Sequence, residues 1–308
     1  MVCDPQAQEL LDAFAESGAP ALASLTPEQA RQPPVTFEQL IGPGPPVHAV
    51  RDIEIPGPAG PIPARVYEPV PEPAGTVAYF HGGGWVLGTL GDFDAVCRML
   101  AVAAGARVVS VDYRLAPEHR FPAAIDDAFA ALVWIAERYS GEPVVVAGDS
   151  AGGNLAAVSA LRAREEGGPE IALQLLVYPV VDCDLTRPSY LECAGSDFIL
   201  NTAEMAWFWD HYVPDEAERL HPYASPIRAS SLEGLPPAYI VIAHHDPLRD
   251  EGLAYAAALE AAGVPVTLAR HDDQIHAFFV LVNLLECADR AVAEAGAAIR
   301  EAVAGTNP

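Results

Sequence analysis

Short apolar runs alternate with longer segments of helical periodicity through most of the chain beyond residue 75. The apolar runs, which predict strands, cover residues 76–80, 107–111, 143–147, 171–177, 238–243 and 264–270. Segments with helical spacing lie at about 92–104, 122–139, 150–165 and 247–262, and a last one begins near residue 279. Alternation of helices with nearly continuous apolar strands is typical of a parallel sheet covered on both faces. The pattern therefore predicts an α/β fold.

Two other regions break this alternation. Residues 7–32 place apolar side chains at helical spacing, and residues 33–73, which contain twelve prolines, follow them. Alternating apolar positions around Ile53 and Ile62 predict two edge strands there, since proline cannot donate to the hydrogen-bond ladder of a sheet. Residues 185–235 form a segment too long for an ordinary loop, and their cluster of aromatic side chains predicts a helix.

These regions divide the chain into a core and a cap. The N-terminal helices and the aromatic-rich insertion are expected to lie over the sheet, and together they are termed the cap. A chain of 308 residues is long enough for one large domain of this kind. The predicted organisation has four parts: N-terminal cap helices at 1–45, a first core part at 46–184, a cap insertion at 185–235 and a second core part at 236–308.

Composition narrows the classes of partner and of chemistry. Apolar residues make up 51% of the chain and charged residues 19%, a globular profile, and the formal net charge is −25. Because phosphate binding needs clustered cations, this acidic balance argues against nucleic acid or an anionic membrane surface as a partner. All 17 cationic side chains are arginines. The lack of lysine excludes Ser-Lys hydrolases, pyridoxal-phosphate enzymes and Walker-type NTPases, each of which needs a lysine amine.

The cysteines and the start of the chain indicate a compartment. Five cysteines lie scattered along the chain, at positions 3, 97, 183, 193 and 287. An odd number without a Cys-x-x-Cys pair argues against a disulfide framework or a structural zinc site. The first residues lack the regions of a signal peptide, and no apolar run reaches the roughly 18 residues of a membrane span. We therefore expect reduced thiols in a cytoplasmic protein.

The sequence Gly-Asp-Ser-Ala-Gly spans residues 148–152, where an apolar predicted strand meets a predicted helix. This is the context of a nucleophile elbow, in which the central serine, Ser150 here, is exposed on a tight turn. At a helix N-terminus the dipole also favours the negative charge that develops during attack. A chance Gly/Ser turn is the alternative, and the flanking strand and helix favour the nucleophile.

A glycine run, His81-Gly82-Gly83-Gly84-Trp85, follows the predicted strand 76–80. Acyl transfer needs preorganised N–H donors aimed at the tetrahedral oxyanion, and a glycine-rich loop can present its backbone N–H groups in this way. A merely flexible loop is the alternative. The preceding strand and the later serine motif favour an oxyanion loop, and we interpret His81 as a residue that braces it.

A serine nucleophile in this context needs an acid and a histidine, which follow it along the chain on loops after later strands. Asp246 is the first carboxylate after the predicted strand 238–243, and its alternative role is a plain helix N-cap. Asp250 lies about one helical turn further along and is the weaker candidate for the acid.

Two histidines follow the predicted strand 264–270. His276 lies deeper in the loop beside aromatic residues that would shield it, whereas His271 stands at the strand end and is interpreted as structural. Together with His244 and His245 they also suggest a metal site, but the four lack ligand spacing on a single element. We therefore expect neither a metal nor an organic cofactor.

Several motifs occur together in the order of a known family. They are His81–Trp85, Asp-Tyr-Arg-Leu-Ala-Pro-Glu-His at 112–119, Phe-Pro-Ala-Ala at 121–124, Gly148–Asn154, and Asp-Pro-Leu-Arg-Asp-Glu-Gly at 246–252. In this combination the chain resembles the hormone-sensitive lipase family of α/β-hydrolases over about residues 7–303, and Asp149 places it with bacterial carboxylesterases of the G-D-S-A-G type. The resemblance implies an α/β-hydrolase fold: a mostly parallel eight-stranded sheet, flanked by helices, with a helical cap.

The resemblance also implies roles for individual residues. It makes Ser150 the nucleophile, Asp246 the acid and His276 the base of a catalytic triad. The oxyanion hole would be formed by the N–H groups of three residues, Gly83, Gly84 and Ala151. Substrate contacts are expected from three further residues, Trp85, Asp149 and Trp207.

Two features depart from the family pattern. Gly usually follows the catalytic histidine, and here Ala277 stands at that position. A methyl group is tolerated there unless the residue needs a positive φ. The pair His244-His245 replaces the more usual acidic or aromatic residue before the acid, so the surroundings of Asp246 are expected to differ.

The implied function is that of a serine carboxylesterase, which hydrolyses short-chain acyl esters through an acyl-enzyme. Two alternatives remain open: the same triad acting on amides, lactones or carbamates, and a non-catalytic receptor for a small ligand on the same fold. The expected partner is a small-molecule ester. Family resemblance also suggests a homodimer that pairs through the last predicted strand, Val264–Arg270, and the helix after it.

Overall fold

The computed structural model describes residues 3–196 and 199–305, where eight strands form a single sheet. In chain order the strands are β1 (Ala49–Gly57), β2 (Gly60–Glu68), β3 (Thr76–Phe80), β4 (Arg107–Val111), β5 (Val144–Asp149), β6 (Leu173–Val177), β7 (Ala238–His245) and β8 (Val266–Ile275). Their spatial order is β1-β2-β4-β3-β5-β6-β7-β8. The pairs from β4 to β8 are parallel, and β2 is antiparallel to both of its neighbours. The predicted mostly parallel, eight-stranded sheet is confirmed.

Helices cover both faces of this sheet. Those of the described residues are α1 (Pro5–Glu16), α2 (Pro27–Ala30), α3 (Phe37–Ile41), α4 (Asp94–Ala104), α5 (Ala123–Arg138), α6 (Ala151–Glu166), α7 (Pro188–Glu192), α8 (Thr202–Tyr212), α9 (Arg249–Ala261) and α10 (Glu286–Gly305). Helices α4 and α10 belong to one buried apolar cluster, and α5, α6 and α9 belong to another. Each face of the sheet therefore has its own core, as a layered α/β protein requires.

The central strands are buried along their whole length. Every residue of β3, β4, β5 and β6 is buried, which explains why these segments appear in the sequence as continuous apolar runs. Because the strands are parallel, their carboxyl ends lie at the same edge of the sheet. The loops that leave this edge are the ones that carry the candidate chemistry.

Two boundaries beside the candidate histidine differ most from the predicted ones. Strand β8 runs to Ile275 rather than ending near residue 270, because it continues to pair with β7 beyond an irregularity between Ala243 and His245. The last helix begins at Glu286, after a 3₁₀ turn at Phe278–Val280, rather than near residue 279. The candidate histidine, His276, consequently follows β8 directly, and the connection to the last helix spans residues 276–285.

The N-terminal segment is helical only in pieces. Helix α1 ends at Glu16, and Gly18 follows with a φ of +64°. A 3₁₀ turn at Leu22–Ser24 leads into α2, where Thr26 and Gln29 form a capping box. These breaks let the segment change direction, and the start of α2 at Thr26-Pro27 is the N-cap and first-turn proline that the sequence predicts for a second short helix.

The N-terminal segment contacts both the insertion and the core. Trp207 on α8 donates its indole N–H to the Leu25 carbonyl at 3.1 Å. Arg31 donates to the Val86 carbonyl at 2.9 Å and to the Ala116 carbonyl at 2.7 Å. The two segments predicted as the cap therefore touch each other, and one of them is fastened to the loops after β3 and β4.

The predicted domain ranges include residues 1–2, 197–198 and 306–308, which lie outside the described residues. Among the residues that are described, none of the helices has the length and apolar character needed to cross a bilayer.

Candidate active site

Ser150 occupies the tight turn between β5 and α6. Its backbone has a φ of +55° and a ψ of −118°, a conformation that costs a non-glycine residue of order 1–3 kcal/mol and is concentrated at functional sites. Small neighbours make the turn possible. A Cβ on Gly152 would lie 1.8 Å from the Phe80 carbonyl oxygen, and one on Gly148 would lie 2.3 Å from the Gly152 backbone. Both glycines of the motif are therefore required by the close approach of the backbone.

Three side chains from separate loops meet at this turn. Asp246 follows β7 and His276 follows β8. Nε2 of His276 lies 3.1 Å from Ser150 Oγ, and Nδ1 lies 2.7 Å from Asp246 Oδ2. Because an ionised carboxylate only accepts hydrogen bonds, Nδ1 carries the proton and Nε2 is the acceptor for the serine hydroxyl. Asp246 is fully buried, whereas Ser150 and His276 are each 7% exposed, so the group opens at its serine end.

The weaker candidates for acid and base lie in other contacts. His271 is within β8 rather than at its end, and its Nδ1 is 3.3 Å from Cys287 Sγ. Asp250, on α9, accepts the backbone N–H of Ser189 and the Nε–H of Arg249, both at 2.9 Å. The structure thus brings together the predicted nucleophile, acid and base. His271 and Asp250 do not join this group.

The glycine run after β3 needs glycine at two positions. Gly83 has a φ of +101° and Gly84 a φ of +59°, both in the region that favours glycine. Space is equally restricted, since a Cβ on Gly83 would lie 2.3 Å from the Leu87 carbonyl oxygen. A Cβ on Gly84 would lie 2.0 Å from the ring of Phe208. Neither glycine can be replaced without moving the loop or α8.

Hydrogen bonds fix the direction of each peptide in this loop. His81 Nδ1 lies 2.7 Å from the Gly82 carbonyl oxygen, and the Gly83 carbonyl accepts two backbone N–H groups of the following turn, at 3.0 and 2.8 Å. In a trans peptide the N–H points opposite to the preceding C=O. The N–H groups of Gly83 and Gly84 therefore point away from these partners, and both residues line the cavity that contains Ser150.

His81 is a buried, neutral side chain under this loop. Its ring stacks on Tyr113 at 4.4 Å and on Phe93 at 5.1 Å between ring centroids. Burial lowers the pKa of His81 to about 4, so the imidazole carries no charge at neutral pH. A neutral ring with its proton on Nδ1 donates to the Gly82 carbonyl, a geometry suited to bracing the loop.

Comparisons with known proteins assign the chain and its fold to a family. Residues 77–280 match the family described as alpha/beta hydrolase fold. Esterase LipI of Mycobacterium tuberculosis is 46% identical over 274 residues, which cover 84% of this chain and 85% of that protein. Ethyl acetate hydrolase of Pseudomonas putida is 40% identical over 240 residues, which cover 74% of each chain. The chain belongs to the hormone-sensitive lipase family of α/β-hydrolases.

The likeness to a solved structure extends over almost the whole hydrolase. The hyperthermophilic esterase from the archaeon Pyrobaculum calidifontis is 42% identical, with a TM-score of 0.92, and the match covers 98% of this chain and 100% of that one. The match therefore includes most of the two segments predicted as the cap. The enzyme class predicted from the sequence, carboxylic ester hydrolase, is confirmed.

A cavity of about 670 Å³ lies in front of Ser150 and His276 of the hydrolase. Apolar side chains make one part of its lining: Leu22, Phe37, Leu115, Val180, Leu200, Met205, Phe208 and Val280. Polar side chains make another part: Arg31, Thr36, Glu38, Asp92, Glu118 and His119. A mostly apolar concave site with a few polar groups suits a small organic molecule.

Two tryptophans predicted to contact substrate have different surroundings. Trp85 lines the cavity and stacks on Tyr212 with 4.2 Å between ring centroids. Trp207 is not among the lining residues, because its indole is turned toward Leu25, and the adjacent Phe208 lines the cavity instead. Consecutive residues of a helix point about 100° apart, and the aromatic cluster in the sequence did not indicate which face of α8 turns inward.

Asp149, the third predicted substrate contact, has internal partners. It borders the cavity, but its side chain is buried and its Oδ1 accepts the Tyr79 hydroxyl at 2.7 Å and the Gly82 N–H at 3.1 Å. Burial raises the pKa of Asp149 to about 6, an effect that the hydrogen bond from Tyr79 partly opposes. Oδ1 of this carboxylate is thus engaged by the protein itself, and a substrate contact of Asp149 stays a prediction.

Two residues of the cavity rim were not among the sequence candidates. Arg31 Nη1 and Nη2 donate to the two carboxylate oxygens of Glu118, at 2.7 and 2.9 Å. This pairing lowers the pKa of Glu118 to about 2. The two residues lie far apart in the sequence, and the motif at 112–119, which includes Glu118, does not indicate a partner for it, so only the fold reveals the pair.

Proposed function

We propose that this hydrolase is a serine carboxylesterase that cleaves short-chain acyl esters, from acetyl to roughly hexanoyl, through an acyl-enzyme. The observation that carries the proposal is the hydrogen-bonded line from Asp246 through His276 to Ser150, which ends in the cavity beside the N–H groups of Gly83 and Gly84. A nucleophile, an oriented base and convergent N–H donors around one cavity are the parts that acyl transfer requires.

Acylation begins at the serine hydroxyl. Ser150 Oγ attacks the ester carbonyl carbon while His276 Nε2 takes the hydroxyl proton, and Asp246 stabilises the imidazolium that forms. The carbonyl oxygen becomes an oxyanion, which accepts hydrogen bonds from backbone N–H groups. Three donors are assigned to it, those of Gly83, Gly84 and Ala151. Each is worth roughly 10²–10³ in rate where the contribution matches the best-measured cases.

The second half of the cycle reverses these transfers. The C–O bond to the alcohol breaks as His276 gives its proton to the leaving oxygen, which leaves an acyl group on Ser150. A water molecule then attacks the acyl carbonyl while His276 takes one of its protons. Collapse of the second oxyanion breaks the bond to Ser150 Oγ, which regains the proton from His276 and releases the carboxylic acid.

The cap supports the restriction to short acyl chains. Met205 and Phe208 of α8 line the cavity, and the Phe208 ring lies directly against Gly84 of the oxyanion loop. A rigid ring beside the reacting carbonyl limits the room for a long acyl chain. The net charge of −25 also makes docking to an anionic lipid surface unfavourable, which argues against a lipase.

A series of p-nitrophenyl esters from C2 to C16 tests the proposal. The expected result is a maximum of kcat/KM between C2 and about C6, and no rate increase above the micelle threshold of the longer esters. A maximum at C12 or longer would refute the chain-length assignment. A parallel panel of amides, lactones and carbamates checks the ester preference, since the triad itself does not select the leaving group.

Two serine variants test the nucleophile with a matched control. Ser150→Ala is expected to remove nearly all turnover, because nucleophile and base act as a unit. Ser159→Ala alters another buried serine of the same segment, on α6, whose hydroxyl has no hydrogen-bond partner among the described residues, and it should leave kcat unchanged. Stoichiometric labelling by an organophosphate should occur in the Ser159→Ala protein and not in the Ser150→Ala protein. Residual activity above a few per cent in Ser150→Ala would refute the assignment.

The proposal extends to a homodimer that pairs through β8 and α10. Strand β8 lies at the end of the sheet order, and Leu268 on it is 38% exposed. An edge strand offers unpaired backbone groups to a second copy of the chain, and pairing would cover them. Light scattering across micromolar concentrations should give twice the chain mass, and a monomer throughout would refute the dimer.

A cytoplasmic location completes the proposal. All five cysteines are free thiols in the structure, and three of them are buried: Cys97, Cys193 and Cys287. Thiols of this kind persist in a reducing compartment. Cell fractionation with a cytoplasmic marker enzyme tests the location, and recovery with exported proteins would contradict it.

A further inference from the structure

The residue before the nucleophile has no part in the mechanism as described, yet it is among the most enclosed charged groups of the site. Asp149 is 3% exposed, and its Oδ1 accepts hydrogen bonds from Tyr79 and from the backbone of Gly82. Tyr79 belongs to the buried strand β3, whereas Gly82 belongs to the oxyanion loop. One carboxylate oxygen therefore joins the nucleophile turn to the loop that faces it.

The peptide between His81 and Gly82 is held at both ends. Its N–H, on Gly82, donates to Asp149 at 3.1 Å, and its carbonyl oxygen, on His81, accepts the Tyr113 hydroxyl at 2.7 Å. These partners approach from opposite sides, as the antiparallel N–H and C=O of a trans peptide require. The rotation of this peptide about the chain axis is consequently fixed.

The orientation of this first peptide sets the orientation of the next one. The imidazole of His81 extends from the held residue and donates to the Gly82 carbonyl, which turns the following N–H, that of Gly83, toward the cavity. The approach is close, since a Cβ on Gly82 would lie 2.3 Å from Asp149 Oδ2. The carboxylate and the loop therefore fit without room for a side chain or a water between them.

We propose that Asp149 is a positioning residue, which holds the oxyanion loop in register with the nucleophile turn so that the Gly83 N–H meets the oxyanion formed on Ser150. The proposal rests on the proposed ester hydrolysis and concerns how the donors are placed. Asp149 acts as a hydrogen-bond acceptor toward Gly82, and it does not touch the substrate. Ala151 and Gly83, on separate segments, are thereby kept at a fixed separation.

The acceptor role distinguishes two substitutions of nearly the same shape. Asp149→Asn keeps an oxygen that can accept from Gly82, whereas Asp149→Leu fills the space without an acceptor. We expect kcat of the Leu variant to fall about 100-fold with KM within threefold, because a misplaced oxyanion donor costs roughly 10²–10³ in rate. The Asn variant should lose less than tenfold. Tyr79→Phe removes the other hydrogen bond of the same carboxylate and should change kcat less than threefold.

An inhibitor pair reports on the oxyanion hole independently of turnover. A trifluoromethyl ketone adds the serine oxygen and forms an oxyanion, whereas the matching secondary alcohol binds without forming one. The ratio of their inhibition constants should change about 100-fold in Asp149→Leu and little in Asp149→Asn. An enlarged cavity or a lost substrate contact would weaken both ligands equally.

The outcomes separate this proposal from the proposed function. If the wild-type protein shows no esterase activity, or if Ser150→Ala keeps that activity, the proposed function is refuted, and the positioning role that rests on it is refuted with it. A raised KM with unchanged kcat in Asp149→Leu refutes the positioning role, and so does equal loss in the Asn and Leu variants, which would indicate a need for charge. Where Asp149→Leu fails to fold, Tyr113→Phe frees the other end of the same peptide. A lower kcat at constant KM and a changed inhibitor ratio in that variant support the role, and an unchanged ratio refutes it.

Discussion

Nδ1 of His276 lies 2.7 Å from one carboxylate oxygen of Asp246, and the other oxygen of Asp246 accepts the backbone N–H of Leu248 at 2.8 Å. The sequence left two roles open for this aspartate, a catalytic acid and a cap for the following helix. In the structure one oxygen lies against the imidazole, and the other accepts an N–H in the turn before α9, so Asp246 does not cap the helix itself. The bond to Leu248 orients the carboxylate, and the carboxylate in turn orients the imidazole.

Asp246→Asn tests the orientation of the imidazole. The amide oxygen can still accept from Leu248, but the amide nitrogen then faces His276 Nδ1 and selects the wrong tautomer. We expect kcat to fall by about 10³–10⁴-fold, the loss known for the equivalent change in a serine protease triad, with the melting temperature nearly unchanged. Asp250→Asn, four residues away, is the matched control and should retain activity within threefold. Inactivation of the control with survival of Asp246→Asn would exchange the two assignments.

Ala277, next to the candidate base, has a φ of +66° and a ψ of −1°. This left-handed conformation costs a non-glycine residue about 1–2 kcal/mol, whereas glycine costs about 0.5–1 kcal/mol because it loses more chain entropy on folding. Ala277→Gly should therefore stabilise the protein by roughly 0.5–1 kcal/mol in urea unfolding. Activity should stay within twofold, because the backbone around His276 does not need to move.

Ala277→Val is the contrasting variant. A β-branched side chain is a severe outlier at a positive φ, so this variant should be less stable than the wild type and should displace His276. Its kcat should fall more than its KM rises. Equal stability of the Gly, Ala and Val proteins would contradict the assigned backbone conformation.

The central part of the fold could be predicted from the sequence because its strands are buried on both faces. The predicted boundaries of β3 and β4 agree with the observed ones to the residue. Strand β8 was predicted too short because it lies at the edge and its exposed positions carry polar residues that resemble a loop. Because the strand was predicted too short, His271 was expected at its end, whereas it lies inside the strand.

The candidate triad could be predicted because each member follows the carboxyl end of a parallel strand in a set order. The lining of the cavity could not be predicted, because it depends on the rotation of α8 and on contacts between distant segments. Phe208 rather than Trp207 faces the cavity, and Arg31 reaches Glu118. Neither contact can be inferred from the spacing of these residues in the sequence. Asp149 was recognised as part of the serine motif, but the direction in which its carboxylate points depends on contacts with a distant loop.

Glu251 on α9 joins three parts of the molecule. Its carboxylate accepts the N–H groups of Val181 at 2.8 Å and Asp182 at 3.3 Å, both after β6, and the hydroxyl of Tyr190 on α7 at 2.9 Å. Burial raises the pKa of Glu251 to about 8, although these hydrogen bonds favour the ionised form. The group is therefore largely protonated in the folded protein at neutral pH.

This pKa predicts a dependence of stability on pH. An unfolded glutamate titrates near pH 4.3, so between about pH 4.3 and 8 the native chain holds a proton that the unfolded chain has released. The contribution of this group to the free energy of unfolding is greatest below that window. It falls as pH rises through the window, by up to about 1.4 kcal/mol per pH unit. Glu251→Gln cannot ionise, so its stability relative to the wild type should rise from pH 5 to pH 8. Urea unfolding at several pH values measures the difference, and a constant difference would contradict the raised pKa.

Arg31 fastens the N-terminal segment over the cavity through its whole guanidinium group. It donates to the Val86 and Ala116 carbonyls as well as to both oxygens of Glu118. Neighbouring residues of the same segment, Pro33 and Phe37 among them, line the cavity. Because Val86 and Ala116 follow β3 and β4, the arginine links the cap to the loops beside the nucleophile, and its loss should loosen the substrate site rather than the triad.

We expect Arg31→Ala to raise KM for a short-chain ester about tenfold, since hydrogen bonds to a charged group are worth about 1.5–3 kcal/mol, while kcat changes less than threefold. Arg31→Lys should behave similarly, because an ammonium group cannot reproduce the planar set of donors that reaches both carbonyls and the carboxylate.

Glu118→Gln is the control for the Arg31 variants. It removes only an exposed ion pair, which contributes about 0–1 kcal/mol, and leaves the two carbonyl contacts of Arg31 intact. Its KM should rise less than twofold. Equal effects of Glu118→Gln and Arg31→Ala would mean that the ion pair, rather than the backbone contacts, holds the segment in place.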